Sequence, residues 1–318
     1  MLMIEKPGLL TTIQDLGRNG FKKDGIISSG AMDPIAHRVA NHLVQNDESE
    51  PTIEITLYGP TIRFTGNAVI ALSGGNLSPI LNGKPIKMER PISIHNGDIL
   101  TFKQPKYGCR TYLAVHGGFK IKKVMGSYST YLRAELGGFN GRALQKGDQL
   151  ELKRQDINLD INNQKWSSGM VNINPKGVRI VRVVKGRHFD KFSKRSQDHF
   201  LEESFRVSAQ SDRMGYRMEG TSLELAKPEE IISEAVTVGT IQVPANGQPI
   251  ILMADSQTIG GYPKIAEVIT VDIPVVAQAQ PGDELQFKLV TIEEAQRRYQ
   301  EQEEKMNVLR RGIKLKFS

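Results

Sequence analysis

Three short stretches concentrate side chains able to hold and polarise a small polar molecule. The densest, ADSQTIGGYPKIAEV (254–268), sets Asp255, Gln257, Thr258, Gly260, Gly261, Tyr262 and Lys264 close together. A plain hairpin turn needs only the double glycine, so the surrounding acid, amide, hydroxyls and ammonium point to a pocket wall. Without Cβ atoms, Gly260 and Gly261 let backbone amides approach a ligand, and Lys264 adds positive charge. The strand QPIILMAD (248–255) delivers Asp255 at its end, and the strands just upstream place Ser233, Thr237 and Gln242 toward the same cavity.

The second stretch, VSAQSDRMGYRMEG (207–220), turns with acid and guanidinium side by side in Asp212 and Arg213, flanked by Tyr216 and Arg217. Arg213 can take a carboxylate or phosphate through two parallel hydrogen bonds with Asp212 orienting it, or the two can form a purely structural pair. The third comprises LLTTIQDLGRNGF (9–21) and SSGAMDP (28–34), which supply Gln14, Asp15, Arg18, Ser29 and Asp33. A guanidinium among glycines can reach exposed anions, so Arg18 joins the candidate binding residues, whereas Asp33 fits turn and capping chemistry.

Several chemistries are disfavoured. The chain has no G-x-x-x-x-G-K-[ST] loop, no H-E-x-x-H and no G-x-S-x-G. Its six histidines offer one local pair, His37 and His42, on different faces of the same helix, so no metal site is expected. The single cysteine, Cys109, excludes an internal disulfide, fits a reducing compartment and reads as a small buried thiol in a strand. The net charge of +7 is dispersed apart from KIKK (120–123) and RRGIKLKF (310–317), and aromatic residues are few, so nucleic acid is not an expected partner. With no signal-peptide pattern and no apolar run approaching a membrane span, the expected location is the cytoplasm.

The elements that must position these residues are mostly strands. β-branched runs punctuated by Gly and Pro predict a mainly β protein of two β-rich lobes with a few short helices. IHNGDILTF (94–102), LQKGDQLEL (144–152) and AQPGDELQF (279–287) repeat one device, a Gly-Asp turn followed by an alternating strand. One helix is expected at 33–45, with Asp33 as cap, Pro34 in the first position and Ile35, Ala36, Val39, Ala40 and Leu43 along one face. A C-terminal helix opens with Thr291 and Glu294 at capping-box spacing, and its thin apolar face suits a surface or a partner. The polar stretch 155–177 reads as a connection, giving lobes at 1–160 and 177–290 and a helix with a basic tail at 291–318.

The stretches PGLLTTIQDLGR, SGAMDP, EITLYGPTIRF, SDRMGYRMEG and GTIQVPANGQPIILMADSQTIGGYPKIA together resemble the family of the 5-oxoprolinase C-subunit, also known as the KipI antagonist family. It is related to allophanate hydrolase subunit 2 and to the carboxyltransferase domain of urea carboxylase. The resemblance runs from about residue 4 to about residue 300. It implies a cyclophilin-like β-barrel architecture and a heteromeric complex with the A-subunit and the KipI-like B-subunit of the enzyme. The implied activity is ATP-dependent conversion of 5-oxo-L-proline to L-glutamate, with ATP, and possible Mg, bound together with the partner.

Carried onto this sequence, the resemblance has Arg213 hold the substrate carboxylate, and Lys264 stabilise a transferring phosphate or an oxyanion with help from the Gly260 and Gly261 amides. Asp255 or Asp212 would act as base or phosphate orienter, with Tyr216 and Tyr262 as hydrogen-bonding walls. Two other readings accompany it: a regulator that sequesters KipI, an inhibitor of a histidine kinase, and a biotin-dependent carboxyltransferase acting on a urea-like amide. No Ala-Met-Lys-Met motif is present and PIKMER around Lys87 is the nearest approach, so no covalently attached biotin is expected.

Overall fold

The computed structural model describes residues 1–153, 167–170 and 177–317. Most of the expected connection at 155–177 lies outside these residues. The chain divides into two compact units, Met1–Asn19 with Ser29–Pro175 and Lys305–Ser318, and Gly20–Ser28 with Lys176–Glu304. Two details differ from the lobes read along the chain: Gly20–Ser28 joins the second unit, and the C-terminal helix Ile292–Phe317 contributes to both. Thr291 caps the helix, with the Glu294 amide donating to Thr291 Oγ1 at 3.1 Å, and the Glu294 carboxylate pairs with Arg298.

The first unit contains a six-stranded and a five-stranded antiparallel sheet. The central strands of the smaller sheet, Ala68–Asn76 and Tyr107–Val115, are buried along almost their whole length because both faces are covered. Ile70, Leu72, Leu113 and Val115 face one apolar cluster, shared with Leu2, Ile4 and Ile62. Val69, Ala71, Tyr112 and Ala114 face another, shared with Val39 and Leu43 of the helix Pro34–Leu43 and with Met306 and Ile313 of the C-terminal helix. That explains why AVIALSGG shows no in–out alternation. The helix starts as its sequence dictates: Pro34 occupies the first turn and Asp33 Oδ1 accepts from the Ala36 amide at 2.9 Å.

The three Gly-Asp turns share one geometry. Gly97, Gly147 and Gly282 have φ of 93°, 90° and 93°, left-handed values that favour glycine. In each, the aspartate accepts from the amide three residues before it, at 2.8, 2.7 and 2.9 Å.

His37 is fully buried in the first unit, with Nδ1 at 2.8 Å from Thr52 Oγ1 and Nε2 at 2.9 Å from the Glu48 carbonyl. Burial pulls its pKa from 6.5 down to about 4. The unfolded chain therefore takes up this proton first, so stability is full above pH 6.5 and falls as the pH drops toward 4. The loss is on the order of 3 kcal/mol. Denaturant unfolding at pH 7.5 and pH 4.5 should show it, and a His37→Gln protein should show a flatter pH dependence.

The second unit is built on a closed barrel. Its strands run in the order Arg179–Lys185, Lys264–Val268, Thr240–Gln242, Ile250–Leu252, Gly215–Glu219, Ser204–Val207 and Glu284–Leu289, the last pairing in parallel with the first. Val181, Val183, Phe205, Met218, Ile241 and Ile251 are buried in its core. The helix Lys194–Glu202, not expected from the sequence, is capped by Ser193 and stacks Phe200 on Phe287 with ring centroids 4.6 Å apart. Its only apolar residues are Phe200 and Leu201, so no periodic stripe announced it. The mainly β organisation with a barrel in the second half is the expected one. Among the described residues, no helix is long and apolar enough to cross a membrane.

Candidate active site on the barrel

The residues of 254–268 gather around one irregularity in the barrel. In the pairing of Thr240–Gln242 with Lys264–Val268, Thr240 faces Glu267, Ile241 faces Ala266, and Gln242 faces Lys264, which leaves Ile265 as an extra residue. Such a bulge shifts the side-chain alternation by one. Lys264 and Glu267, three residues apart, therefore share a face with Gln242 and Thr240, while Ile241 and Ala266 turn to the other. The loop Gly186–His188 holds the bulge. The Gly186 amide donates to the Ile265 carbonyl at 2.9 Å, and the His188 amide to the Lys264 carbonyl at 3.0 Å. The Lys264 amide in turn donates to His188 Nδ1 at 3.1 Å, so His188 carries its ring proton on Nε2 when neutral. Burial pulls the His188 imidazole below its ordinary range.

A two-stranded sheet, Glu234–Ala235 with Ile259–Gly260, meets this face. Lys264 Nζ, on a side chain nearly out of water, donates to the Ala235 carbonyl at 2.8 Å and pairs with Glu234 Oε1 at 2.9 Å. The hydrogen bond from Lys264 draws the Glu234 carboxyl below the usual range. Glu234 Oε2 also lies 2.6 Å from Arg187 Nη1. Burial pushes half-buried Glu267 upward, against hydroxyl hydrogen bonds from Thr240 and Thr237. The result is a polar face carrying one held ammonium, a buried amide at Gln242 and two carboxyls pushed in opposite directions.

Gln242 is 1% exposed; its Oε1 accepts from Gln257 Nε2 and its Nε2 donates to the Tyr262 carbonyl, both at 3.5 Å. The double glycine makes room for the chain itself. A Cβ on Gly260 would lie 2.5 Å from Gln242 Nε2, and one on Gly261 3.0 Å from Ser233 Oγ. Neither glycine has a positive φ. Gly260→Ala is expected to cost about 1–3 kcal/mol by overpacking, and Gly261→Ala less, as read by chemical denaturation. Thr258 is half-buried with its carbonyl accepting the Val236 amide at 3.1 Å, and Tyr262 is 49% exposed at the rim.

Arg213 and Asp255 come together in a way that their places in the sequence do not foretell. Arg213 Nε and Nη2 donate to Asp255 Oδ2 and Oδ1 at 2.9 and 3.1 Å, and both residues are 5% exposed. The expected pairing of Arg213 with its neighbour Asp212 is not the one formed: Asp212 is exposed and its Oδ1 accepts the Met214 and Gly215 amides in a local turn. A fork already closed on Asp255 does not offer its two parallel donors to a substrate carboxylate. Tyr216 likewise departs from a wall role, being 3% exposed with its hydroxyl directed at the carbonyls of Ala277 and Ala279.

Arg18 belongs to the first unit and is 1% exposed, donating through Nη2 to the Ser129 carbonyl at 2.8 Å, which corrects the expectation that it reaches exposed anions. Asp15 is a structural hub there, accepting from the hydroxyls of Ser127 and Ser129 and the amides of Gly17 and Tyr128. Arg187, His188, Glu234 and Glu267 were not among the expected site residues. Only Glu267, inside the 254–268 stretch itself, offered any signal. Among the described residues, no three His, Cys, Asp or Glu side chains are grouped to hold a metal.

The family model for "carboxyltransferase domain, subdomain A and B" matches residues 24–289. The chain belongs to this family and, within it, to that of the 5-oxoprolinase C-subunit. It is 38% identical to the Haemophilus influenzae C-subunit of 5-oxoprolinase over 95% of both chains. It is 39% identical to the Escherichia coli protein of the same name, covering 95% of this chain and 96% of that one. The crystal structure of the K. lactis urea amidolyase superimposes with a TM-score of 0.90 at 30% identity over 97% of this chain, which spans 20% of that much longer one.

Proposed function

We propose that this protein is one component of an ATP-dependent 5-oxoprolinase, opening 5-oxo-L-proline to L-glutamate together with the A- and B-subunits and nearly inactive alone. The observation that carries this reading is the end-to-end match with two proteins named as the C-subunit of 5-oxoprolinase. The lactam is resonance-stabilised and its nitrogen leaves poorly. Phosphoryl transfer to the carbonyl oxygen makes the carbon open to water, and the negative charge moving between oxygens needs fixed cations. Lys264 is the residue we assign to that charge. With Arg213 locked on Asp255, the pair is assigned to positioning the segment that leads into Gln257. ATP is a substrate in this reading and is held jointly with the KipI-like B-subunit, in keeping with the missing phosphate loop.

The test is coexpression with the A- and B-subunits, measuring 5-oxoproline-dependent ATP hydrolysis and glutamate formation. Coupled turnover by the complex, and none by the single chain, is the expected result. A complex that forms without turnover would sink the reading in favour of a KipI-binding regulator. The urea amidolyase likeness favours one further reading, carboxyl transfer to a urea-like amide, and dependence of turnover on a biotinylated carrier would select it.

A further inference from the structure

We propose that Lys264 and Arg187 form a binding site for a phosphate-class dianion, with the Glu234 carboxylate as its built-in competitor; the inference rests on the functional reading above. Glu234 bridges the two cations, one oxygen 2.9 Å from Lys264 Nζ and the other 2.6 Å from Arg187 Nη1. Glu234 brings one negative charge into contact with both cations. A phosphoryl dianion balances both, whereas a second monocarboxylate does no better than Glu234 itself.

The two cations and their competitor are held very differently. Lys264 is 6% exposed, and its backbone is tied on both sides by His188. Arg187 follows Gly186, where an added Cβ would come 2.5 Å from the Lys264 carbonyl, so its backbone is pressed against the same strand. Glu234 sits on a two-residue strand paired, among the described residues, with Ile259–Gly260 alone, and Ile232 just before it is 88% exposed. Lifting this carboxylate breaks little structure and the 74% exposed Arg187 side chain can follow the ligand, while moving the buried Lys264 would disturb the barrel wall. The other charged groups acting on this spot are His188 and Lys191, with Glu267 acting on Lys264 from the strand itself. The Coulomb repulsion between Glu234 and an arriving phosphate makes the two mutually exclusive, so a phosphoryl group binds only as the carboxylate withdraws.

Calorimetric titration of the full chain with inorganic phosphate tests this. Glu234→Gln is expected to bind phosphate at least tenfold more tightly than the unaltered protein, and adding Arg187→Gln is expected to abolish the gain. Glu234→Asp, with a shorter reach, should give an intermediate gain and carries the test if the glutamine variant does not fold. Acetate should gain much less than phosphate. Unchanged or weaker phosphate binding by both Glu234 variants overturns the proposal, as does a gain that survives Arg187→Gln. An equal gain for acetate overturns the phosphate class. Turnover of the reconstituted complex separates the two levels: an intact activity beside a failed phosphate titration removes this site alone, whereas a tightened phosphate site beside a dead wild-type complex removes the functional reading.

Discussion

Replacing Asp255 with alanine is expected to lower the unfolding free energy by about 3–5 kcal/mol, because it removes the carboxylate on which the buried Arg213 guanidinium closes. Both partners are 5% exposed, and the fork is closed by two hydrogen bonds at 2.9 and 3.1 Å. The backbones beside them are also joined, Asp255 N–H to the Arg213 carbonyl at 2.8 Å and Met253 N–H to the Met214 carbonyl at 3.0 Å, so the pair locks two strand ends together. An apolar replacement of both should be far milder than the single change. Arg213→Met combined with Asp255→Ala is therefore expected to recover a large part of the loss, in a double-mutant cycle read by urea denaturation. A loss under about 1 kcal/mol for Asp255→Ala would show that the pair is not holding the strand ends.

Lys264→Met should cut turnover of the reconstituted complex by about 10²–10³, the usual cost of removing one preorganised donor from a developing charge. The same change should alter stability little. Methionine fills a similar volume without a buried charge, and Glu234 keeps its contact with Arg187 at 2.6 Å. The combination of lost activity and kept stability is what distinguishes a reacting cation from a structural one. Lys264→Arg is expected to restore only part of the rate, since a planar fork does not reproduce the point charge aimed at Ala235 and Glu234. Full turnover by the methionine variant would remove Lys264 from the chemistry.

The clustering of the candidate site was readable because its residues are crowded in sequence: Asp255, Gln257, Gly260, Gly261 and Lys264 all lie in one strand–turn–strand passage, and Gln242 was placed beside them by strand order. Partnerships across the chain were not readable. Arg213 has an acid next to it in sequence, yet pairs with Asp255 in the turn after the strand Ile250–Leu252, because Asp212 is taken up by the Met214 and Gly215 amides of its own turn. Arg18 looked solvated among its glycines, but the carbonyls that bury it come from Val124 and Ser129, more than a hundred residues away. Arg187 and Glu234 had no motif at all and acquire meaning only from their meeting beside Lys264. Turns and caps fared better, as at Asp33, Thr291 and the three Gly-Asp turns, since their chemistry is local.

Ile265 works as a frameshift in a two-letter code. A β-strand is read in–out–in–out, and one surplus residue inverts the reading of everything before it. In KIAEV the ammonium and the carboxyl are spaced three apart, an odd interval that an unbroken strand assigns to opposite sides. Grafting this strand into a regular barrel would therefore send one charge into the apolar interior beside Ile241 and Ile251. Any rearrangement of this site, by evolution or by design, has to move Gly186, Ile265 and His188 together with the charged residues they aim.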